Sequence, residues 1–347
     1  MTSAEGLQKR RPDLDVDSKR TRLSKTFQFV PGPLHNQLRT DAIAAERAAT
    51  GLWRRDPSVW SEDDATKRSI ANRLGWLSSP VLMAESIERL TVFAESVRRG
   101  GFTDVVLLGM GGSSLAPEVL RAVLGVAPGW PQLRMLDSTD PAAVRAASTP
   151  PERTLYLLAS KSGTTIEPNN SYRSQGHLPV LPPDRPTASG VTLTLTAAAR
   201  EKLGAPSPEQ FLTLVRPGDY VGLLAYVGPD EELAAELKAF RLAVRDRTRA
   251  ATMFGYGPRY LHSTGQLHKG GPNSGVFVLI TATPRADLPI PDETFSFGTL
   301  ELAQALGDFA SLDATGRRAL HVHLPAPDRR LVREIADGLL SRLPTAR

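Results

Sequence analysis

"TDVVLLGMGGSSLAPEV", residues 103–119, decides the fold class. A short continuous apolar run ends in Gly109, Gly111 and Gly112, two serines follow, and a helix-compatible stretch begins. Apolar residues without alternation indicate a strand covered on both faces, and a strand of that kind feeding a helix is the opening of a parallel α/β unit. The glycines permit tight turns and close backbone approach, and Ser113 or Ser114 is placed to cap a helix with Pro117 and Glu118 in its first turn. Free N–H groups at such a helix start favour an anion.

Working outward, the same grammar repeats. "LRMLD" (133–137) and "TLYLLAS" (154–160) are further apolar runs, and "DPAAVRAAS" supplies another helical connection. Upstream, from about Leu34 to Arg99, apolar residues recur at three- and four-residue spacing in "DAIAAERAATGLWRRDPSVW", "ATKRSIANRLGWL" and "SIERLTVFAESVR", which predicts a helical lead-in. Downstream, residues 168–190 hold five prolines and follow neither period, so they read as a linker or functional loop. Regularity then returns: strands at "GDYVGLLAYV" (218–227), "SGVFVLITA" and "ALHVHLP", and helices at "DEELAAELKAFRLAVRDRTRAATMF", "FGTLELAQALGDFAS" and "DRRLVREIADGLLSRL". The expected class is α/β, a three-layer αβα arrangement around a parallel sheet, with a second, smaller α/β unit behind it.

Composition bounds the function. The chain of 347 residues is 41% apolar and 23% charged, ordinary for a globular enzyme, and no apolar stretch approaches the roughly 20 residues of a membrane helix. A soluble, cytoplasmic protein is expected, since the basic N-terminus lacks the apolar core of a secretory signal. With no cysteine there is neither a disulfide framework nor thiol chemistry. Residues 1–25 carry seven Lys or Arg against four Asp or Glu, which accounts for most of the net +5. That excess sits in what reads as a solvated tail without aromatic interleaving, so nucleic acid is not an expected partner.

A second loop resembles the first in chemistry. "SKSGTTI" (160–166) leaves the strand at 154–160 with Ser160, Ser162, Thr164 and Thr165 as hydroxyl donors, Gly163 as a pivot and Lys161 as a cation. A phosphate offers several acceptor oxygens and about two negative charges, which clustered short donors satisfy. Neither loop is a true dinucleotide or triphosphate fingerprint, because the glycine spacing of the first is loose and Lys161 precedes Gly163 in the second. Turn residues at strand ends are the competing reading of either loop alone.

"GMGGSSLAPEV" followed by "SKSGTTIEP" resembles the sugar isomerase domain of glucose-6-phosphate isomerases. "LWRRDPSVWSED", "NRLGWL", "RPGDYVGLLAYV" and "GYGPRYLHSTGQLHKGGPNSG" are similar to the isomerase part of bacterial transaldolase/phosphoglucose isomerase fusions, from about residue 30 nearly to the C-terminus. The resemblance implies a sugar isomerase fold of flavodoxin-like or Rossmann-like type, and interconversion of glucose 6-phosphate and fructose 6-phosphate through a cis-enediol. It implies a cytoplasmic role in glycolysis and gluconeogenesis, no metal and no cofactor, a sugar phosphate as ligand, no membrane partner, and room for a homodimer, since the family is commonly dimeric. Gly112 and Ser113 would belong to the first phosphate loop and Ser160, Ser162 and Thr165 would be phosphate ligands, with Lys161 adjacent. His262, in a glycine-rich loop expected between a helix and a strand, would be the catalytic acid/base, and His268 and Lys269 are further candidates.

The sequence departs from the family in the middle. The "GGRYS"-like segment and the glutamate that serves as carbon base are not found, so residues 168–190 also read as a deletion junction. The boundaries expected are a disordered basic tail at 1–30, a helical lead-in with the phosphate-binding domain at 31–167, the proline-rich junction, and a C-terminal α/β unit at 191–347. Glu118, Glu167 and Glu301 read as solvated helix residues rather than a replacement base. Three readings stay open: an isomerase, a sugar-phosphate-binding remnant without turnover, and a chain that needs a partner to supply the missing lobe.

Overall fold

"GVFVLITA" is apolar at nearly every position, and the structure, a computed structural model, places it at the centre of the larger of two sheets as strand Gly275–Ala282. Residues 35–159, 182–204 and 207–343 are described, with side chains from Ala45 onward, and the basic tail at 1–30 lies outside them. The chain divides into two compact units, Met1–Val92 and Phe93–Arg347.

In the first unit, the described residues form α1 (His35–Arg54), α2 (Asp64–Ala71) and α3 (Ser79–Ala84), and α4 (Ile87–Arg99) begins within it. Asp63 caps α2 by accepting from the Thr66 amide at 2.7 Å, which satisfies one of the orphan donors of a helix start. This agrees with the helical periodicity of residues 34–99.

The second unit contains two sheets. The smaller consists of β1 (Asp104–Gly109), β2 (Gln132–Leu136) and β3 (Thr154–Ala159), all parallel in the order β2-β1-β3. Crossover helices α5 (Gly112–Leu124) and α6 (Pro141–Ala147) connect them. The larger sheet contains β4 (Arg185–Pro186), β5 (Thr192–Leu195), β6 (Tyr220–Tyr226), β7 (Ala251–Tyr256), β8 (Gly275–Ala282) and β9 (Arg318–Leu324), ordered β4-β5-β9-β8-β6-β7. The four strands from β9 to β7 are parallel, and β5 and β4 close one edge antiparallel.

The connecting helices are α7 (Ala197–Leu203), α8 (Glu231–Thr248), α9 (Gly265–Gly270), α10 (Phe297–Ala314) and α11 (Arg329–Ser341). Strand pleating sorts the core by parity. Val221, Leu223, Val276, Val278 and Ile280 pack with Leu233, Leu237, Phe240, Val332 and Leu339 of α8 and α11. Leu224, Tyr226, Phe277 and Leu279 pack with Ala305, Phe309 and Leu312 of α10 on the opposite face. Each fully buried Leu or Phe side chain contributes about 1.5–3 kcal/mol relative to exposure.

The α/β class with a parallel sheet is as expected. The size order differs: among the described residues the C-terminal sheet has six strands and the N-terminal one three. Two strands escape the sequence periodicity. "ATMFGY" reads in sequence as a continuation of the long helix, but Arg249 takes φ +58° and ends α8, so the chain turns back into β7. "TLTL" at β5 alternates threonine with leucine and gives only a short, weak apolar signal. Part of the proline-rich stretch is ordered: Arg185–Pro186 pairs with Thr192–Leu193 across a turn at Gly190, φ +82°.

Candidate active site

The carboxyl ends of the strands in both sheets meet one another. From β1 comes Gly111, from β2 Asp137 and Asp140, from β6 Gly228, from β7 the turn Arg259–His262, and from β8 the start of α10. Ligands of open α/β sheets bind at such ends, where loops and helix N-termini expose polar backbone.

The first glycine loop and His262 are in contact. Gly111 has φ +56°, and a Cβ there would lie 2.5 Å from His262 Cβ and 2.9 Å from its carbonyl oxygen. Only glycine meets both demands at this position. The helix begins at Gly112 with Gly111 as its cap residue, so no serine side chain caps it and Pro117 falls in the second turn. The reason lies in the serines: the Ser113 amide closes onto Met110 O at 3.1 Å, and buried Ser114 turns its hydroxyl to Asp137 Oδ2 at 2.9 Å. Gly112 and Ser113 follow Gly111, the residue against His262, and the Ser113, Ser114 and Leu115 amides are used within the turn.

Asp137 is shared. Arg259 donates from Nη2 to Oδ1 at 2.6 Å, a charge-assisted hydrogen bond, and its Nε lies 2.6 Å from Oδ2 as an ion-pair contact without hydrogen-bond geometry. Arg259 also lines a cleft of about 690 Å³ between the outer edge of β2 and the start of α8, together with Asp137, Ser138, Tyr256 and Gly257.

The next residue, Tyr260, is buried and donates its hydroxyl proton to Asp308 on α10, and Lys269 Nζ sits 2.8 Å from the other oxygen of Asp308. Burial first, then the neighbouring Tyr226 and Asp308, holds the Tyr260 phenol well above its usual range. The turn carrying His262 is thus fixed onto α10 by Tyr260 and onto β2 by Arg259. It follows strand β7 and leads into α9, rather than following a helix, because "ATMFGY" is extended.

His268 is placed differently from His262. It is buried on α9 among Tyr220, Tyr260 and Phe277, with Nδ1 3.0 Å from Tyr220 Oη, and burial lowers its pKa. Lys269 is engaged with Asp308, and its carbonyl accepts from Arg317. Both residues support the turn from below. Ser160, Lys161, Ser162 and Thr165, with Glu167, lie outside the described residues.

The carboxylates differ from their sequence reading. Glu118 pairs with Arg121 at 2.7 Å, and that hydrogen bond lowers its pKa. Glu301 is not solvated: it is 4% exposed on α10, and burial, then the charge and hydrogen bond of Asp140, raise its pKa well above the usual range. The apolar residues of α10 point to both faces, which hides an inward polar row of Glu301, Gln304 and Asp308. Gln304 Oε1 accepts from Thr139 Oγ1 at 2.6 Å, so this row meets the β2 loop. A Cβ on Gly228 would lie 2.6 Å from the Asp140 carboxylate, which closes the same junction from β6. Sequence reasoning missed Ser114, Asp137 and Arg259; an acid at the carboxyl end of "LRMLD" and an arginine three residues before His262 were the signals available.

His321 and His323 lie on one face of β9, both bonded to Thr281 Oγ1 at 2.8 Å. Burial lowers the pKa of His321 to about 3, the mark of a neutral core histidine. Among the described residues no group of three or more His, Cys, Asp or Glu could hold a metal ion. No described helix is long and apolar enough to cross a membrane.

The chain is similar to curated glucose-6-phosphate isomerases. That of Trichormus variabilis is 34% identical over 118 residues, 27% of this chain and 22% of the relative. That of Treponema pallidum is 40% identical over 98 residues, covering 23% and 18%, and that of Nostoc punctiforme is 28% identical over 175 residues, covering 46% and 29%. The likeness to glucose-6-phosphate isomerases is confined to part of this chain and part of each relative. The chain spans between about a fifth and three tenths of the length of these curated isomerases. No family model matches it. Among solved structures, a hypothetical protein of Thermus thermophilus covers 89% of this chain, which covers 90% of it, at 18% identity and a TM-score of 0.34. The α/β architecture and the isomerase relatives are consistent with a sugar-phosphate isomerase family member.

Proposed function

We propose that the chain carries an aldose–ketose isomerase site for glucose 6-phosphate and fructose 6-phosphate, with His262 as the acid/base of ring opening. The observation that supports this reading is the contact between Gly111 of the glycine loop and the Cβ and carbonyl of His262. In ring opening the C1 hydroxyl gives up its proton, the C1–O5 bond breaks and O5 gains a proton. Imidazole, which titrates in water at about pH 6.5, is the side chain suited to shuttling that proton near neutral pH. Isomerisation then removes the C2 proton to form the cis-enediol and returns a proton to C1.

Gly112 and Ser113, with Ser160, Ser162 and Thr165 of the second loop, are the proposed phosphate-binding residues, and Lys161 is a further cation. We assign the reaction to cytoplasmic glycolysis and gluconeogenesis, with a homodimer as the assembly to test by size measurement. The domain division proposed remains the phosphate-binding part to residue 167, a junction at 168–190 and a C-terminal unit from 191.

A second reading is favoured by the carboxylates. Glu118 is tied to Arg121 and Glu301 faces Asp140, so neither is placed as a carbon base. On that reading the chain binds sugar phosphate without turnover, or acquires its base from a partner.

The purified chain is assayed for conversion of fructose 6-phosphate to glucose 6-phosphate. Turnover that His262→Ala lowers by about 10²-fold or more supports the isomerase, within the usual contribution of a general acid/base. Binding without turnover, lost in Ser162→Ala, establishes the second reading. Neither binding nor turnover refutes both for the isolated chain.

A further inference from the structure

The glycine loop and the His262 turn come from strands in different sheets, and their separation has to be held by something other than backbone pairing. Asp137 is the residue through which the two are joined. Its carboxylate is nearly inaccessible, and it receives the Ser114 hydroxyl at 2.9 Å from the first turn of α5. Its Oδ1 also accepts from Arg259 Nη2 at 2.6 Å, and Arg259 Nε lies 2.6 Å from Oδ2 as an ion-pair contact. Ser114 is fully buried and its Oγ lies 3.1 Å from Gly111 O, so it touches the residue that packs against His262. Arg259 is three positions before His262 in the same turn.

We propose that Ser114, Asp137 and Arg259 form a positioning bridge that fixes the distance between the anion loop at Gly111–Ser113 and His262. This rests on the isomerase reading for its catalytic consequence, but the coupling itself does not require turnover. Stiffness and geometry carry the inference. A carboxylate held by a guanidinium N–H on one oxygen and a hydroxyl on the other has fixed direction as well as charge, which a lysine in place of Arg259 does not reproduce. Tyr260 anchors the same turn to α10, so release of Arg259 lets the turn pivot about Tyr260 and carries His262 away from the loop. Misplacement of a reacting group by about 1 Å can cost roughly 10²-fold in rate.

A comparable ion pair supplies the control. Arg134 Nε lies 2.8 Å from Asp104 Oδ1, joining β2 to the opposite end of β1, remote from the glycine loop. Arg134→Lys is expected to leave turnover unchanged.

The test uses the full chain with Arg259→Lys, Asp137→Asn and the double variant. With fructose 6-phosphate, each single change is expected to lower kcat by about 10–100-fold with KM changed by less than about threefold, and the double variant to match the worse single. Equal kcat in all four proteins, or losses that multiply, overturn the bridge. If the parent shows no turnover, the isomerase reading fails and the bridge is judged by amide hydrogen exchange. Faster exchange at both Gly111–Leu115 and Leu261–Ser263 in Arg259→Lys supports it; faster exchange confined to Leu261–Ser263 overturns it.

Discussion

The two sheets of the C-terminal unit use the same strand–helix grammar but differ in how completely they bury it. Strand β8 is buried along all but its last residue, and α8, α10 and α11 close both faces of its sheet. In the three-stranded sheet, Leu158 of β3 is 83% exposed, and Val123 of α5 is 75% exposed beside exposed Leu115, Val119, Leu120 and Leu124. One sheet is a closed core; the other is a scaffold with apolar surface open. The His262 turn grows from the closed one and the glycine loop from the open one, so the two halves of the proposed site are supported unequally.

The largest expected effect tests that inequality directly. Phe309→Ala removes a buried ring from the cluster formed with Leu224, Phe277 and Leu279, and a loss of about 3–5 kcal/mol in denaturant unfolding is expected. Val123→Ser on the exposed face of α5 is expected to change stability by less than about 0.5 kcal/mol. Comparable losses in the two variants would show that α5 is covered in solution and would remove the contrast.

Gly111→Ala comes next. The new Cβ meets His262 and the residue must hold a positive φ, so a loss of about 2 kcal/mol is expected by the same measurement. Gly125→Ala, at the end of the same helix with φ +69° and no atom within 4 Å, has the backbone cost without the collision. Equal losses at the two glycines would mean that the contact with His262 is not tight, and the distinction between a buried and an open loop would weaken.

How much of this was legible in the sequence follows from where each interaction lives. "VVLLG" and "VFVLIT" announce buried parallel strands because covering on both faces is written into consecutive residues. "GMGG" announces a loop because positive φ is written into glycine. "ATMFGY" could not be read as a strand, since what ends α8 is Arg249 in a left-handed conformation, which no residue preference predicts. Asp137 and Arg259 are 122 positions apart in the chain, and their pairing exists only once the two sheets face each other. Glu301 shows the same limit: on a helix whose apolar residues lie all round, a single glutamate gives no sign of which face it takes.

Glu301 also supplies the smallest and most specific prediction, a change of slope with pH rather than of midpoint at one pH. In the folded chain it is buried against Asp140, with Asp287 the other negative charge acting on it, and its pKa is raised above the ordinary value of 4.5. Unfolded, it ionises near 4.5, so above that pH the folded state binds one more proton than the unfolded state. Stability from this group is therefore fully present below 4.5 and is lost as pH rises toward its native pKa. Glu301→Gln keeps a donor for Asp140 and has no proton to lose. Its unfolding free energy is expected to equal or fall slightly below that of the parent at about pH 4, and to gain on the parent steadily as pH is raised. Parallel pH profiles for the two proteins would mean that Glu301 is ionised in the fold, and that the junction between α10 and the β2 loop opens to water as the outer face of α5 does.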